Sequence, residues 1–473
     1  CAAAAAAVLR PGAPLGAEDA PNPEPTAGSA ANLVPHHLST WQKHGVVGLV
    51  REREWNKVTS PLFSQWPDMN FLNPDELVRG SIIQNDSKAD SRAPELQSGC
   101  VRANATKEIY WEPSEVRAAI CTCGGLCPGL NSIIREVTNC LWYQYGVHNV
   151  LGIQAGYNGL SHPEEFTPLE LNPEEVREIH MKGGSVLKAA RGGFDAPKIC
   201  EKLEKMGVNM LFLVGGDGTQ SAGNLLYEEA RKRNMKLSIV GVPKSIDNDV
   251  MYFDKTFGFD SAVAAASEVI RNVFVEATSA EKGVGIVKLM GRDAGFVAMN
   301  AALSSTIVDL CLVPEVKVHL EDIYTHVDKT LDRKNFMVIA VAEGAGQEFV
   351  ATGQKDATGH TVYGDIGEFL RDSLNKHLKE KGGRTFYINP SYIIRSVPIR
   401  PNDHIYCSRL ARDAVHTAMR GYSGVCVGAL HNIVVIVPSK LIADKKRHIN
   451  VRSSAWQNCV QTCKMPKSLS GLK

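Results

Sequence analysis

Short apolar runs alternate with longer segments of helical periodicity along this chain, from about residue 115 onward. The apolar runs predict strands at 116–120, 150–155, 211–214, 237–242, 284–288, 310–313 and 336–342. The periodic segments predict helices at 129–145, 196–206, 221–233, 261–276 and 365–377. Apolar strands that alternate with helices are typical of parallel sheets covered on both faces. The pattern therefore predicts an α/β fold: two Rossmann-like domains whose mostly parallel sheets face an active-site cleft, plus an N-terminal extension.

The segment before this regular pattern has a different composition. Residues 1 to about 40 are rich in Ala, Pro and Gly, so we expect them to be disordered or loosely attached. A start without methionine indicates a processed or truncated chain, and both a removed organelle-targeting peptide and an artificial truncation fit it. Between 41 and 97, scattered aromatic residues indicate an extension that packs on the rest of the protein: Trp55, Phe63, Trp66 and Phe71.

Charge and composition exclude several classes of partner. The 473 residues include 52 Lys and Arg against 51 Asp and Glu, a net charge of +1, so nothing favours nucleic acid or an anionic membrane. No apolar run reaches the length of a membrane span. The 12 cysteines lack paired metal-ligand spacing and fit a reducing compartment. Cys121, Cys123 and Cys127 lie close to a glycine turn. They are either buried thiols that pack beside this loop or a redox-sensitive cluster.

A glycine-rich turn, Gly215-Gly216-Asp217-Gly218-Thr219, follows the predicted strand 211–214. Glycines at such a place let the backbone turn sharply and approach a ligand closely. Asp217 can hold Mg²⁺ through its oxygens, and Thr219 can donate to a phosphate. The turn indicates a nucleotide-phosphate site, with a plain strand-to-helix connection as the alternative.

The loop after strand 237–242 carries two carboxylates, Asp247 and Asp249. One can accept a proton from a substrate hydroxyl while the other positions a metal ion or orients the first. An Asx-rich turn without chemistry is the alternative.

Two further loops follow predicted strands. Gly124 and Gly125 lie between a strand end and a helix start, where free backbone N–H groups stabilise an anionic phosphate. Arg292, in the segment Met290-Gly-Arg-Asp293, offers a planar fork suited to a sugar phosphate. A surface ion pair is the alternative for this arginine.

Together these loops resemble, in order and over residues 116–461, the motifs of the 6-phosphofructokinases, and in detail of their long plant-type branch. The resemblance also rests on Arg191 and Gly192, on Glu343 in Ala-Glu-Gly, and on Tyr392 and Arg395 in Ser-Tyr-Ile-Ile-Arg. It implies an ATP-binding domain of 115–258 with 394–444, and a sugar-phosphate-binding domain of 259–393 with 445–473. Residues 1–114 are the extension. A homo-oligomer (tetramer or dimer) and a location in the plastid stroma, after removal of a transit peptide, or in the cytoplasm are also implied.

The resemblance implies a mechanism of phosphoryl transfer. Asp247 takes the proton from the 1-hydroxyl of fructose 6-phosphate, and the oxygen attacks the γ-phosphoryl of ATP in line. Lys244, Ser245 and the amides of Gly124 and Gly125 steady the transferring group. Asp217 and Asp249 hold Mg²⁺. Arg292 and Arg395 hold the 6-phosphate, and Glu343 holds a sugar hydroxyl.

The full set of implied site residues falls into three groups. The implied catalytic residues are Asp247, Lys244 and Arg292. The implied nucleotide-binding residues are Gly124, Gly125, Arg191, Gly192, Gly216, Asp217, Gly218 and Thr219. The implied substrate-binding residues are Ser245, Ile246, Asp247, Met290, Gly291, Arg292, Glu343, Tyr392 and Arg395.

The identity of the phosphoryl donor depends on Gly218 and Lys244. In the family, glycine at the first position leaves room for the α-phosphate of ATP, whereas an aspartate there accompanies the use of pyrophosphate and would repel that phosphate. Lys244 points the other way, because pyrophosphate enzymes share a lysine there. We therefore expect ATP, with a pyrophosphate-dependent phosphotransferase as the alternative.

Two departures from the family pattern motivate a further alternative. Phe386 stands where the family usually places a Lys or Arg that reaches the sugar phosphate, and Arg384 could substitute for it. Gly283 stands where bacterial relatives carry an arginine that reaches a neighbouring subunit's substrate, although plant-type members resemble this chain there. Losing one cationic contact would cost about 1.5–3 kcal/mol of binding. A weakly active regulatory subunit is therefore a third hypothesis; an NAD-kinase-like interpretation explains only the turn at 215–219.

Overall fold

The computed structural model of the protein describes residues 58–73, 76–78, 100–351, 353, 362–443 and 446–472. The predictions for residues 1–57, including disorder over the first 40 and the packing of Trp55, lie outside these residues.

The strands, numbered in chain order, are β1 (Val58–Thr59), β2 (Leu77–Val78), β3 (Cys100–Arg102), β4 (Glu108–Ile109), β5 (Ala118–Thr122), β6 (Val150–Ile153), β7 (Leu169–Glu170), β8 (Met210–Gly215), β9 (Ser238–Pro243), β10 (Gly283–Leu289), β11 (Leu310–Leu312), β12 (Phe336–Ala342), β13 (Arg384–Ile388), β14 (Val425–Leu430) and β15 (Ile433–Pro438). The α-helices are α1 (Pro61–Gln65), α2 (Leu130–Asn139), α3 (Tyr157–Ser161), α4 (Ala196–Met206), α5 (Asp217–Lys232), α6 (Phe259–Thr278), α7 (Phe296–Ser305), α8 (Leu320–Lys334), α9 (Ile366–Leu378), α10 (Ser391–Ile394), α11 (Pro401–Met419), α12 (Ser439–Ala443) and α13 (Ser454–Thr462). A π-helical turn, Cys140–Gln144, continues α2.

The larger sheet has nine strands in the order β2-β3-β15-β14-β9-β8-β5-β6-β7. Its central strands β14, β9, β8, β5 and β6 run parallel to one another, and the outer strands are antiparallel to their neighbours. Alternate residues of β8 pack into two different cores: Phe212 and Val214 on one face, Leu211 and Leu213 on the other. Burial on both faces is the reason why this strand reads as a continuous apolar run.

The smaller sheet has the order β11-β12-β10-β13 and is parallel throughout. The C-terminal helix α13 belongs to its core, where Trp456 is fully buried and its Nε1 donates to the carbonyl of Ser470 at 2.8 Å. The preceding helix α12 instead packs against α5 of the larger sheet. The chain therefore crosses from one sheet to the other between residues 443 and 454.

Two mostly parallel sheets covered by helices confirm the predicted α/β fold. Every predicted strand and helix is present, with ends within about four residues of the prediction. Part of the N-terminal extension is built into the fold, because β3 pairs with β15 and β1 pairs with β4. Phe63 and Phe71 meet edge to face at 5.3 Å, whereas Trp66 remains 64% exposed.

Candidate active site

Loops at the carboxyl ends of parallel strands bring most of the predicted site residues together. In the larger sheet β8 lies between β5 and β9, so the loops that follow these strands lie side by side. In the smaller sheet Leu289 of β10 pairs with Ala342 of β12, so Met290 and Glu343 follow at the same level. The N–H of Glu343 donates to the carbonyl of Leu289 at 2.9 Å, which fixes the two loops against each other. Open α/β sheets bind ligands at such edges.

The loop after β5 lies beneath two cationic side chains. A Cβ at Gly124 would lie 3.6 Å from Nζ of Lys244, and a Cβ at Gly125 would lie 3.7 Å from Nη1 of Arg395. Gly124 has a φ of +84°, a conformation that favours glycine. Its N–H donates to the carbonyl of Ala190 at 2.8 Å, so the free amide expected at Gly124 is already engaged.

The loop after β8 passes directly into α5. Gly216 is the residue before the helix, and Asp217 begins it, where a negative charge is favourable. A Cβ added at Gly218 would meet nothing within 4 Å, so this face of the turn is open. Thr219 is placed differently from the expectation: it is buried, and its Oγ1 would lie only 2.3 Å from a Cβ at Gly215. Its hydroxyl therefore packs beneath the turn.

The loop after β9 is fixed by local hydrogen bonds. The N–H of Lys244 donates to the carbonyl of Gly215 at 2.9 Å, which joins this loop to the previous one. Lys244 is buried, which lowers the pKa of its ammonium, and the positive charge of Arg191 acts in the same direction. The hydroxyl of Ser245 donates to Asp249. Asn248 has a φ of +57° and accepts from the N–H of Thr256 at 3.0 Å, so the turn between the two aspartates is held in one shape.

Asp247 has the electrostatic environment of a proton acceptor. Its Oδ1 is buried and has no hydrogen-bond partner among the described residues. Burial raises the pKa of this carboxyl to about 7, with the charges of Asp249 and Glu343 acting in the same direction and the backbone N–H of Arg292 opposing them. A carboxylate with an unpartnered oxygen and a pKa near neutrality can accept a proton from a bound hydroxyl.

The smaller sheet contributes the predicted sugar-phosphate side. The guanidinium of Arg292 stacks over the ring of Tyr363 at 4.9 Å. A Cβ at Gly344 would lie 1.8 Å from the carbonyl oxygen of Arg292, so only glycine fits there. Arg395 stacks over the ring of Tyr392 at 4.4 Å, and this tyrosine is 76% exposed. Two arginines with planar forks thus border the cleft.

Lys446 is a site residue that the sequence did not reveal. Its Nζ lies 3.6 Å from Oδ2 of Asp217, 3.6 Å from Oδ2 of Asp249 and 2.5 Å from Oδ2 of Asp293. Although burial alone would lower the pKa of Lys446, the hydrogen bond to Asp293 and the charges of Asp249 and Asp217 raise it above its usual range. Burial raises the pKa of Asp217 to about 6, an effect that Asp249 enhances and Lys446 opposes. The only signal in the sequence was the basic run 445–448.

Phe386 and Arg384 lie on strand β13, away from the loops that carry the other predicted site residues. Phe386 pairs with Gly285 and Arg384 with Gly283 on strands β13 and β10. Gly285 precedes Met290 by five residues, roughly 16 Å at about 3.3 Å per residue. Phe386 and Arg384 therefore lie near the opposite end of the strands from Arg292, outside the candidate active site of the same chain. A Cβ at Gly283 would lie 2.2 Å from the carbonyl of Ala277, which leaves no room for a side chain.

The carboxylates around Lys446 have the oxygen donors that Mg²⁺ prefers. Oxygen ligands from three loops converge on one cationic group, which is the donor chemistry that Mg²⁺ prefers. Across the described part of the chain, no three His, Cys, Asp or Glu side chains form a ready-made metal site. Mg²⁺ is usually held by one or two carboxylates together with substrate phosphates, so Asp217 and Asp249 would need a bound phosphate to complete such a site.

The cysteines near the site are buried thiols. The eleven cysteines among the described residues are free, and the Sγ atoms of Cys121 and Cys123 lie 3.6 Å apart. Burial raises the pKa of Cys127 to about 12, so this thiol is protonated at neutral pH. In the part of the chain that the structure describes, no helix combines the length and apolarity of a membrane span.

Known proteins resemble this chain closely in sequence. A family model described as phosphofructokinase matches residues 117–418. ATP-dependent 6-phosphofructokinase 5, chloroplastic, from Arabidopsis thaliana is 41% identical over 409 residues, which cover 84% of this chain and 76% of that protein. The ATP-dependent 6-phosphofructokinase of Borreliella burgdorferi is 39% identical over 414 residues, 85% of this chain and 92% of that protein.

Solved structures share the fold. The pyrophosphate-dependent phosphofructokinase from Marinobacter aquaeolei superposes with a TM-score of 0.62 at 17% identity, over 75% of this chain and 93% of that chain. The phosphofructokinase from Saccharomyces cerevisiae superposes with a TM-score of 0.57 at 22% identity, over 74% of this chain and 48% of that chain. At these identities the likeness concerns architecture, not the choice of substrate.

Proposed function

The chain belongs to the phosphofructokinase family, and from this membership and the site geometry we infer that it transfers the γ-phosphoryl group of ATP to the 1-hydroxyl of fructose 6-phosphate. The products are fructose 1,6-bisphosphate and ADP. One observation carries the assignment of the chemistry: the buried, unpartnered oxygen of Asp247 lies between the nucleotide loops of one sheet and the arginine-bearing loops of the other. The raised pKa of this carboxyl suits a proton acceptor.

Asp247 removes the proton from the 1-hydroxyl, and the oxygen then attacks the γ-phosphorus in line with the leaving ADP oxygen. Lys244 places its ammonium over the loop at Gly124, where it stabilises the charge of the transferring group. Ser245 orients Asp249 through its hydrogen bond. Arg292 and Arg395 fix the 6-phosphate, so the 1-hydroxyl is held at Asp247. Glu343, with Met290, Gly291, Ile246 and Tyr392, completes the sugar pocket.

The nucleotide side is formed by the loops after β5 and β8. The backbone of the turn 216–219 and the exposed pair Arg191 and Gly192 receive the phosphates of ATP, while the hydroxyl of Thr219 supports the turn from beneath. Asp217 and Asp249 would hold Mg²⁺, which would supply positive charge beside the phosphates. The open face at Gly218 supports ATP as the donor, because nothing there obstructs an α-phosphate.

The larger organisation follows the same assignment. Residues 115–258 with 394–444 form the ATP-binding domain, and 259–393 with 445–473 the sugar-phosphate-binding domain. We propose a homo-oligomer, either tetramer or dimer, because the resemblance to the family implies one. A location in the plastid stroma is supported by the name of the chloroplastic relative, with the cytoplasm as the alternative.

Pyrophosphate remains the second candidate donor, because Lys244 is a feature shared with pyrophosphate enzymes. The test is a steady-state assay of the purified chain with fructose 6-phosphate and Mg²⁺, in which ATP and pyrophosphate are offered separately. We expect turnover with ATP and at most about one hundredth of that rate with pyrophosphate. Turnover with pyrophosphate alone would reverse the donor assignment. If neither donor supports turnover while Mg-ATP still binds, the chain is a regulatory subunit.

A further inference from the structure

We propose that Lys446 balances the charge of Asp217, Asp249 and Asp293 when no metal ion is bound, and that it competes with a divalent cation for these carboxylates. The proposal deepens the proposed function, because it rests on Asp217 and Asp249 as the ligands of Mg²⁺. Lys446 is thereby a positioning residue, which acts on the reaction through the metal ligands.

The contacts of Lys446 are those of a bound cation. The three carboxylates follow three different strands, β8, β9 and β10, and each lies within 3.6 Å of its Nζ. Asp249 is nearly buried, with 8% of its side chain exposed. Carboxylates this close to one another repel, and an ammonium among them removes part of that repulsion.

The backbone around Lys446 holds the ammonium in place. We call residues 446–449 the C-terminal strap, since they lie in the stretch that crosses from the larger sheet to the smaller one. Lys446 forms an antiparallel bridge with Val250, and the N–H of Arg447 donates to the carbonyl of Asp249 at 2.7 Å. One backbone segment therefore contacts the same loop that carries the metal ligand Asp249.

The strap continues onto the smaller sheet. Nδ1 of His448 donates to the carbonyl of Asp293 at 2.8 Å, and the N–H of Ile449 donates to Oε1 of Glu315 at 2.7 Å. Glu315 in turn accepts from the N–H of Gly295 at 3.2 Å. Because the backbone from Lys446 to Ile449 is held by contacts with both sheets, the ammonium can withdraw by movement of its flexible side chain alone.

The charge balance gives the direction of the effect. A single positive charge faces three carboxylates, so a divalent cation satisfies them better than the ammonium does. Without the ammonium, the same carboxylates attract a divalent cation more strongly, and no displacement is needed. Replacing Lys446 by a neutral side chain should therefore tighten binding of the free metal roughly tenfold.

The test is a titration of the nucleotide-free, full-length chain with Mn²⁺ alone, followed by electron paramagnetic resonance of the free ion. Lys446→Met and Lys446→Gln should each bind Mn²⁺ roughly tenfold more tightly than the original chain. Lys446→Arg should stay close to it, because the positive charge remains. Lys440→Met is the matched control, since this exposed lysine lies on the neighbouring helix α12. The double variant Asp217→Asn/Lys446→Met should lose the tight site.

Unchanged or weaker Mn²⁺ binding in both neutral variants would overturn the proposal, because the ammonium would then not compete with the metal. Tight binding that survives Asp217→Asn would overturn it too, because the metal would then lie elsewhere. The titration requires neither substrate nor turnover. A chain that failed to phosphorylate fructose 6-phosphate would still give a result here, so the two failures are distinguishable.

Discussion

Replacement of Gly218 by aspartate tests whether this position selects ATP. A Cβ here meets nothing within 4 Å, so the new side chain fits without disturbing the fold. Gly218 is the second residue of α5, where a negative charge stabilises the helix by about 0.3–1 kcal/mol. The protein should therefore remain as stable as before, and any loss of activity reports on the nucleotide.

The size of the expected loss follows from the charge. Two unit charges about 4 Å apart interact by about 4 kcal/mol at an effective dielectric constant of 20, and by about 1 kcal/mol in water. Gly218 is exposed in the free protein but would be covered by ATP. An intermediate repulsion of about 3 kcal/mol corresponds to a loss of roughly 100-fold in kcat/KM for ATP.

The assay compares kcat/KM for ATP at saturating fructose 6-phosphate in the original chain, Gly218→Asp and the uncharged control Gly218→Ala. We expect the alanine variant to stay within about threefold of the original, because the site is open. Pyrophosphate should become a measurable donor in Gly218→Asp, since Lys244 is already present. If the aspartate variant keeps kcat/KM for ATP within threefold, or if alanine costs as much as aspartate, charge at this position does not select the donor.

Three further changes test the site and its support. Asp247→Asn should lower kcat by roughly 10²–10⁴ with little change in KM for ATP, and a loss below tenfold would remove Asp247 as the base. Arg292→Lys loses the planar fork and should raise KM for fructose 6-phosphate about tenfold or more at saturating ATP; an unchanged KM would place the 6-phosphate elsewhere. Burial lowers the pKa of His416 to about 3, whereas in the unfolded chain its pKa is about 6.5. As the pH falls below about 6.5, the unfolded chain therefore takes up a proton that the folded chain does not, and the folded state loses stability. Between pH 7.5 and 5, the free energy of unfolding of the original chain, measured with urea, should fall by about 2 kcal/mol relative to that of His416→Gln. Burial raises the pKa of Asp413 to about 7, which gives the opposite pH dependence. Because both chains carry Asp413, its effect cancels in this comparison.

The central strands could be predicted because burial on both faces leaves an unbroken apolar run, as in β8 and β12. The start of α5 could not be placed, since Gly218 and Gly223 have low helix propensity and hide the first turns. The hairpin of β14 and β15 also escaped prediction. Its turn places His431 and Asn432 at φ values of +52° and +60°, and this pair lacks the usual Asn-Gly signal of such turns.

The loops of the site were predictable for the same reason as the strands, because each motif follows an apolar run directly. What could not be predicted were contacts between distant segments. The N–H of Gly124 donates a hydrogen bond to Ala190, and the cation beside Asp217 is Lys446, more than two hundred residues later in the chain. Neither contact leaves a periodic signal, since both depend on where irregular segments pass in space.

The position of Asp247 explains why both sheets are required for the chemistry. The aspartate is carried by the larger sheet, and burial is the main cause of its raised pKa; Glu343 and the backbone N–H of Arg292, on loops of the smaller sheet, also act on it. If the distance between the two sheets changed, the pKa of Asp247 and the position of the bound 6-phosphate would change together. The C-terminal strap counteracts such a change, because its hydrogen bonds reach Asp249 on one side and Glu315 on the other. The protonation of the base and the placement of the substrate are therefore set by one geometry, which the C-terminal strap helps to fix.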